Sequence, residues 1–247
     1  MGEYATPVNT LTVNGTNLYT LAKVYVTGSG TFNTPEKDYE VIEVPGRSGD
    51  LILPRNRRKN LTIAYPCFIV EDFENNFNAL VSFLYNLDDY AKLQDTYHEF
   101  YRIGLFTGPL EPDMGQDLSG GSFNLSFNCK PQRYLPNGDT TATIVTSGGN
   151  KYINNPTNSK SRPLISFKGY GQFSVNGTTL TMAEHSDTAS QTVYVDCESH
   201  ETYAANGITL NKFMSLSGDF PYLKPEANLI TYANTISNFS IIPRWEV

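Results

Sequence analysis

A chain of 247 residues with 18 Lys and Arg against 25 Asp and Glu carries a formal charge of −7. The length suffices for one large or two medium domains, each able to bury its own core, and the acidic balance argues against a protein that grips nucleic acid by neutralising phosphates. With 16 Tyr, 14 Phe and only 17% charged residues, and with Thr, Asn, Ser and Gly between short apolar runs, the composition favours strands and turns, so the expected class is mainly β.

The first half opens on Asn14-Gly15, a pair suited to the positive φ angles of a tight type I′ hairpin turn. Strands are expected at 21–26 and 39–44. Leu61, Ile63, Tyr65, Cys67 and Ile69 alternate with other side chains, the period of a strand with one face in the core, and Pro66 points to an edge or a bulge. Phe73, Phe77, Leu80, Val81, Leu84 and Leu87 then recur at helical spacing with Asp72 placed as N-cap, which predicts one helix over 72–87, lying on a sheet. Tyr101, Ile103 and Leu105 suggest another strand, and 107–121, rich in Gly, Pro and Asp, reads as a long loop.

Phe123, Leu125, Phe127 and Cys129 alternate strictly with Ser122, Asn124, Ser126 and Asn128, the cleanest amphipathic strand in the chain. Residues 130–138 break that pattern with two prolines and a glycine, as a linker does. Domains are therefore expected at 1–133 and 134–247. The second half carries only strand signals, at 141–146, 163–168, 172–175, 178–182, 193–196, 229–232 and 236–242, with Asn176-Gly177 as a second tight turn. Such spacing fits a β-sandwich of jelly-roll or immunoglobulin-like size. Val13-Asn14-Gly15-Thr16 and Val175-Asn176-Gly177-Thr178 are one tetrapeptide in different surroundings, shared turn chemistry rather than a repeat.

Motifs that would carry chemistry are weak. Cys67, Cys129 and Cys197 are odd in number and widely spaced, so they read as buried thiols of a reducing compartment. The N-terminus has no basic region followed by an apolar core, and no apolar run spans a bilayer, so a soluble chain without conventional secretion is expected. Residues 1–6 fit only the loose myristoylation pattern. No GxSxG elbow accompanies the three histidines, His98, His185 and His200. Glu184-His185-Ser186-Asp187 reads as a solvated turn, since sequence neighbours point different ways. His98-Glu99 begins like a zincin helix, but Arg102 stands where the second His belongs, and a strand packing aromatics is expected there.

Gly28-Ser29-Gly30 and Gly169-Tyr170-Gly171 are not followed by helical patterns and read as turns or bulges rather than nucleotide loops. A glycosidase needs only two carboxylates, and no pair stands out among 25. Arg55-Asn56-Arg57-Arg58-Lys59, the basic cluster, reads as a solvated loop between strands or as a surface that meets an acidic partner. Trp245, the sole Trp, reads as a packed ring, with a sugar-stacking platform as the rival. No catalytic, cofactor-binding or metal-ligating residue is assigned, and the chain is expected not to be an enzyme.

Several segments, in order, resemble the distal tail proteins of siphophages. Val44-Pro45-Gly46-Arg47-Ser48-Gly49-Asp50-Leu51 is similar to that family's PGR(D/N)G segment, with Ser48 a departure, and 121–131 (GSFNLSFNCKP) resembles the strand closing its first domain. Asn154-Asn155-Pro156-Thr157, Arg162-Pro163-Leu164-Ile165, Phe173-Ser174-Val175-Asn176-Gly177 and Phe220-Pro221-Tyr222-Leu223-Lys224-Pro225 with Asn228 resemble its second domain. The P-G-x-N form is altered here to Pro225-Glu226-Ala227-Asn228, and Pro243-Arg244-Trp245 is similar to the family's aromatic ending.

The resemblance implies a tail-tube-like β-sandwich or barrel with one helix that assembles into a sixfold ring, single or stacked, carrying a galectin-like β-sandwich on its outside. It implies a structural virion protein of the tail tip, the hub of the baseplate. The hub would join the tail tube protein to the tail-associated lysin or fibre protein and anchor receptor-binding proteins. DNA would pass through the lumen without specific binding. The length leaves no room for inserted carbohydrate-binding modules. The alternative is a carbohydrate-binding module that attaches the virion to host cell-wall glycan.

Overall fold

The computed structural model describes residues 9–27, 32–115, 119–143 and 151–247. The myristoylation-like segment, Gly28-Ser29-Gly30, three residues of the 107–121 loop and the end of the expected 141–146 strand lie outside the described residues. The chain is mainly β and divides into two compact units, Met1–Arg133 and Tyr134–Val247.

The first unit contains β1 (Leu11–Val13), β2 (Thr16–Asn17), α1 (Leu18–Ala22), β3 (Tyr25–Val26), β4 (Lys37–Ile42), β5 (Leu51–Arg58), β6 (Leu61–Ile69), α2 (Phe73–Tyr85), β7 (Ala91–Asp95), β8 (Tyr101–Phe106), β9 (Asp113–Met114) and β10 (Gly121–Tyr134). One eight-stranded sheet runs β2-β1-β7-β8-β10-β6-β3, with β9 paired to β10. The two strictly alternating segments are antiparallel neighbours: Phe123 stands opposite Cys67, Leu125 opposite Tyr65 and Phe127 opposite Ile63. Their apolar faces therefore coincide, and a slip of one residue would turn both to the wrong side. α2 lies on that face through the buried Leu80 and Leu84 and through Phe77, whose ring meets Phe123 edge-on at 5.5 Å. Each such leucine contributes about 1.5–3 kcal/mol by leaving water.

Several expectations are corrected here. Leu21 and Ala22 belong to the short helix α1, capped by the Asn17 side chain, which accepts from the Tyr19 and Thr20 N–H groups, and only Tyr25–Val26 of that segment is strand. Pro66 is at no bulge, since its register with β10 is unbroken, but it does face a nearly open side of β6: β3 covers only Phe68 and Cys67 there. Its carbonyl accepts from Thr27 N–H at 2.8 Å just past the end of β3, so the side lacking a donor points away from β10 and no ladder bond to β10 is lost. Asp72 stands at the N-cap of α2, but its backbone is left-handed (φ 44°) and its carboxylate accepts from the Asn75 amide instead of a helix N–H. The loop at 107–121 contains β9, and β10 continues through Pro131 to Tyr134 where a linker was expected, followed by a single 3₁₀ turn over Pro136–Asp139.

The second unit contains β11 (Ala142–Thr143), β12 (Lys151–Asn155), β13 (Leu164–Gly169), β14 (Gly171–Val175), β15 (Thr178–Met182), α3 (Ser186–Ser190), β16 (Thr192–Asp196), β17 (Glu201–Ala204), β18 (Met214–Leu216), β19 (Glu226–Tyr232) and β20 (Ile236–Ile242). Two five-stranded antiparallel sheets, β11-β20-β13-β16-β17 and β12-β19-β14-β15-β18, face each other as a sandwich. The core draws Ile165, Phe167, Val193, Phe239 and Ile241 from one sheet and Phe173, Leu180, Met182 and Ile230 from the other. Phe239 is its centre, with ring contacts to Phe167, Phe173 and Tyr232 at 6.2, 5.4 and 4.9 Å. Against the strand-only expectation, α3 is helical, and β12, β17 and β18 carry no period-2 pattern strong enough to be read.

Candidate assembly surface

β4 and β5 form a sheet of two strands only, separate from the eight-stranded sheet of their own unit. Val41, Ile42, Leu51, Ile52 and Leu53 favour extended backbone. Gly46 and Gly49, at φ 82° and 83°, bend the chain at the tip, where Arg47 N–H meets the Val44 carbonyl at 3.1 Å. These glycines explain the P-G-R-S-G run as a turn, since positive φ is costly for other residues.

The register places Tyr39 opposite Pro54, Val41 opposite Ile52, and Glu40 opposite Leu53. Every residue of β5 is exposed, including Ile52 at 59%, and Tyr39 on β4 is 53% exposed. Apolar side chains thus face water on both sides of the arm. Three ion pairs join its strands and foot, Arg55–Glu40 at 3.5 Å, Arg57–Asp38 at 2.6 Å and Lys59–Glu36 at 3.4 Å. The basic cluster is therefore mostly strand with acidic partners on its own arm, not a loop. Exposed pairs contribute only about 0–1 kcal/mol each, and an isolated hairpin is marginal in water. An arm built this way is suited to being covered by another surface.

The residues weighed for catalysis do not converge. His185 caps α3, its Nδ1 3.2 Å from the Asp187 carboxylate and its ring against Phe213 at 4.3 Å. His98 lies in the first unit, in the bend between β7 and β8 rather than in a strand, 3.0 Å from both carboxylate oxygens of Asp95. Among the described residues no group of three His, Cys, Asp or Glu could hold a metal ion. Cys67, Cys129 and Cys197 are buried, and desolvation pushes each thiol up to about 12. Gly169 and Gly171, at φ 101° and 125°, make the tight turn from β13 to β14.

Trp245 is 6% exposed and closes the sandwich core. The backbone of Gly138 packs against it so closely that a Cβ there would lie 2.4 Å from Trp245 N. The asparagine motifs are structural pins: Asn155 bridges Thr157, Ser159 and Leu223, and Asn228 ties the 224–228 turn to β12. Sequence reasoning placed a strand at 39–44 and a solvated loop at Arg55–Lys59 and so missed the second strand of the arm; the signal present was Leu51-Ile52-Leu53 followed closely by Arg55, Arg57 and Arg58.

No protein-family model and no curated protein matches the sequence. Among solved structures the chain is similar to the SPP1 Dit protein, described as a paradigm of hub adsorption apparatus in Gram-positive-infecting phages, with TM-score 0.61 and 15% identity over 95% of this chain and 98% of that one. The fold is that of a phage baseplate hub protein. Chains of the phage P2 baseplate in its activated conformation, with Ca and with Sr, are similar at TM-score 0.52 and 11% identity, over 95% of this chain and 97% of theirs. At these identities the likeness is one of fold, and it extends over both units of the chain.

Proposed function

We propose that this chain is a distal tail protein, a structural subunit of the hub of a phage baseplate, located at the tail tip of the virion. The observation that carries the reading is the β4–β5 arm, a two-stranded extension with apolar side chains exposed on both faces, within a chain whose fold follows a hub protein from end to end. Copies of the first unit assemble through their arms into a closed ring, sixfold by the family resemblance. The second unit is a galectin-like sandwich held on the outside of the ring. The ring joins the tail tube to the tail-associated or fibre protein and anchors receptor-binding proteins. A net charge of −7 suits a lumen through which DNA slides without being gripped. The chain acts without a cofactor and catalyses no reaction.

The test is the mass of the purified full chain in solution at micromolar concentration, with negative-stain images of the same sample. A closed oligomer with a central opening supports the reading; a monomer at every concentration overturns it. The glycan-binding alternative loses its best anchor, because the one indole is buried in the core.

A further inference from the structure

Asn-Gly pairs occur at Asn14, Asn137, Asn176 and Asn206. In such a pair the glycine nitrogen can attack the asparagine side-chain carbon, because no Cβ blocks the approach. Local sequence makes the four nearly equivalent, and the fold separates them.

Three are held away from that attack. The Asn14 side-chain oxygen accepts from Lys92 N–H at 2.7 Å, across on β7. Asn176 is tied by three bonds, its oxygen accepting from Leu229 N–H at 3.1 Å and its amide donating to the Asn228 oxygen at 2.7 Å and the Tyr222 carbonyl at 3.3 Å. At Asn137 the glycine is the fixed partner. Gly138 is buried, its N–H donates to the Leu135 carbonyl at 2.9 Å, and a Cβ on it would stand 2.4 Å from Trp245 N, so its peptide has no room to rotate.

Asn206 differs. It stands with Gly207 in the exposed turn after β17, where a Cβ on Gly207 would meet no atom within 4 Å. The Asn206 side-chain oxygen accepts from Ile208 N–H at 3.2 Å, which folds the side-chain carbon back over the Gly207 peptide. The same N–H is a donor aimed at the oxygen that gains negative charge when that carbon is attacked. The side-chain nitrogen donates to the Asp187 carboxylate of α3 at 3.3 Å. The bond from Gly207 N–H to the Ala204 carbonyl, 2.9 Å long, is the contact that must open first.

We infer that Asn206-Gly207 is a site of self-modification, an amide converted by water to a carboxylate through a cyclic imide. Gly207 N gives its proton to solvent and bonds to the Asn206 side-chain carbon, while Ile208 N–H holds the oxyanion. The bond from that carbon to Nδ2 then breaks, and Nδ2 takes a proton from solvent and leaves as ammonia. Water opens either carbonyl of the imide, giving aspartate or its isomer with the chain running through the side-chain carbon. The new carboxylate stands where an amide donated to Asp187, so a hydrogen bond becomes a repulsion between like charges and the turn comes free of α3. The reaction needs the second unit alone, in any state of assembly that leaves the turn open.

Peptide mapping of the purified full chain, kept at physiological temperature in mildly alkaline buffer, tests the site. Isoaspartate should accumulate at position 206 about tenfold faster or more than at 14, 137 or 176, and in denaturant the four rates should converge. A native rate at 206 no higher than at the other three overturns the inference, and so does the same ranking in denaturant, since the fold would then have no part in it. Asn206→Asp carries the charge of the product from the start and should raise amide hydrogen exchange in α3 several-fold over wild type. Unchanged exchange there overturns the release of the turn.

Discussion

Asn176, at the tip of one hairpin, donates from its side-chain amide to the side-chain oxygen of Asn228 at 2.7 Å, across 52 residues of sequence. The same oxygen accepts from Lys224 N–H at 2.8 Å, and the Asn228 amide donates to the carbonyls of Lys224, Glu226 and Ile153. Asn228 is fully buried and nearly saturated in hydrogen bonds. It locks the 224–228 turn, the β14–β15 hairpin tip and β12 into one arrangement.

Truncating Asn228→Ala strands the Lys224 amide and several carbonyls away from water. The expected loss is about 2–3 kcal/mol of unfolding free energy, since each unsatisfied buried group costs about 1–3 kcal/mol. Urea unfolding followed by Trp245 fluorescence measures it directly; a midpoint equal to wild type would show that water reaches these groups.

Arg244 grips Asp196 through two hydrogen bonds of 2.8 and 2.9 Å. Burial alone would raise the Asp196 carboxyl, but the hydrogen bonds and charge of Arg244, with the Glu198 and Ser199 N–H groups, outweigh it and hold the carboxyl below its ordinary value. A depressed carboxyl contributes stability above its unfolded value of about 4 and loses it as pH falls through the lower folded value. Acid unfolding of the second unit should therefore steepen below about pH 4, and Asp196→Asn should flatten that limb while lowering stability at neutral pH.

The buried indole of Trp245 should give blue-shifted emission that saccharides leave unchanged. Trp245→Ala should cost about 3–5 kcal/mol. Gly138→Ala approaches the same place from the other side, because its Cβ would lie 2.4 Å from Trp245 N, and it should also destabilise. Emission that shifts with added saccharide would contradict this packing.

Cys67, Cys129 and Cys197 have thiols pushed up to about 12 by desolvation, so at neutral pH almost none is thiolate, the reactive form. Iodoacetamide should modify none of the three in the folded protein and all of them in denaturant, as counted by intact mass. Rapid labelling of any one in the native state would place it at an opened surface.

Local chemistry was enough for the elements whose pattern is both strong and self-contained. Asn14-Gly15 and Asn176-Gly177 adopt the positive φ angles their side chains tolerate, at 47°, 83°, 52° and 87°. The alternation of β6 and β10 and the helical spacing of α2 encode one buried face each, so they persist in the fold. α1 and α3 have five residues each, too few for a 3.6-residue period to emerge, and their capping by Asn17 and His185 is visible only once the chain turns. Lys130-Pro131 reads as a break, yet β10 runs on through it, because strand continuity depends on a neighbour that sequence does not name. The arm is the sharpest case. Leu51-Ile52-Leu53 has the residues of a buried strand and stands in solvent, since burial is a property of what packs alongside, and only the tertiary structure shows that nothing of the first sheet does. The orphaned Nε2 of His98 is the same lesson at one atom: a histidine's type fixes its capacity for two hydrogen bonds, and the fold alone determines that only one is met.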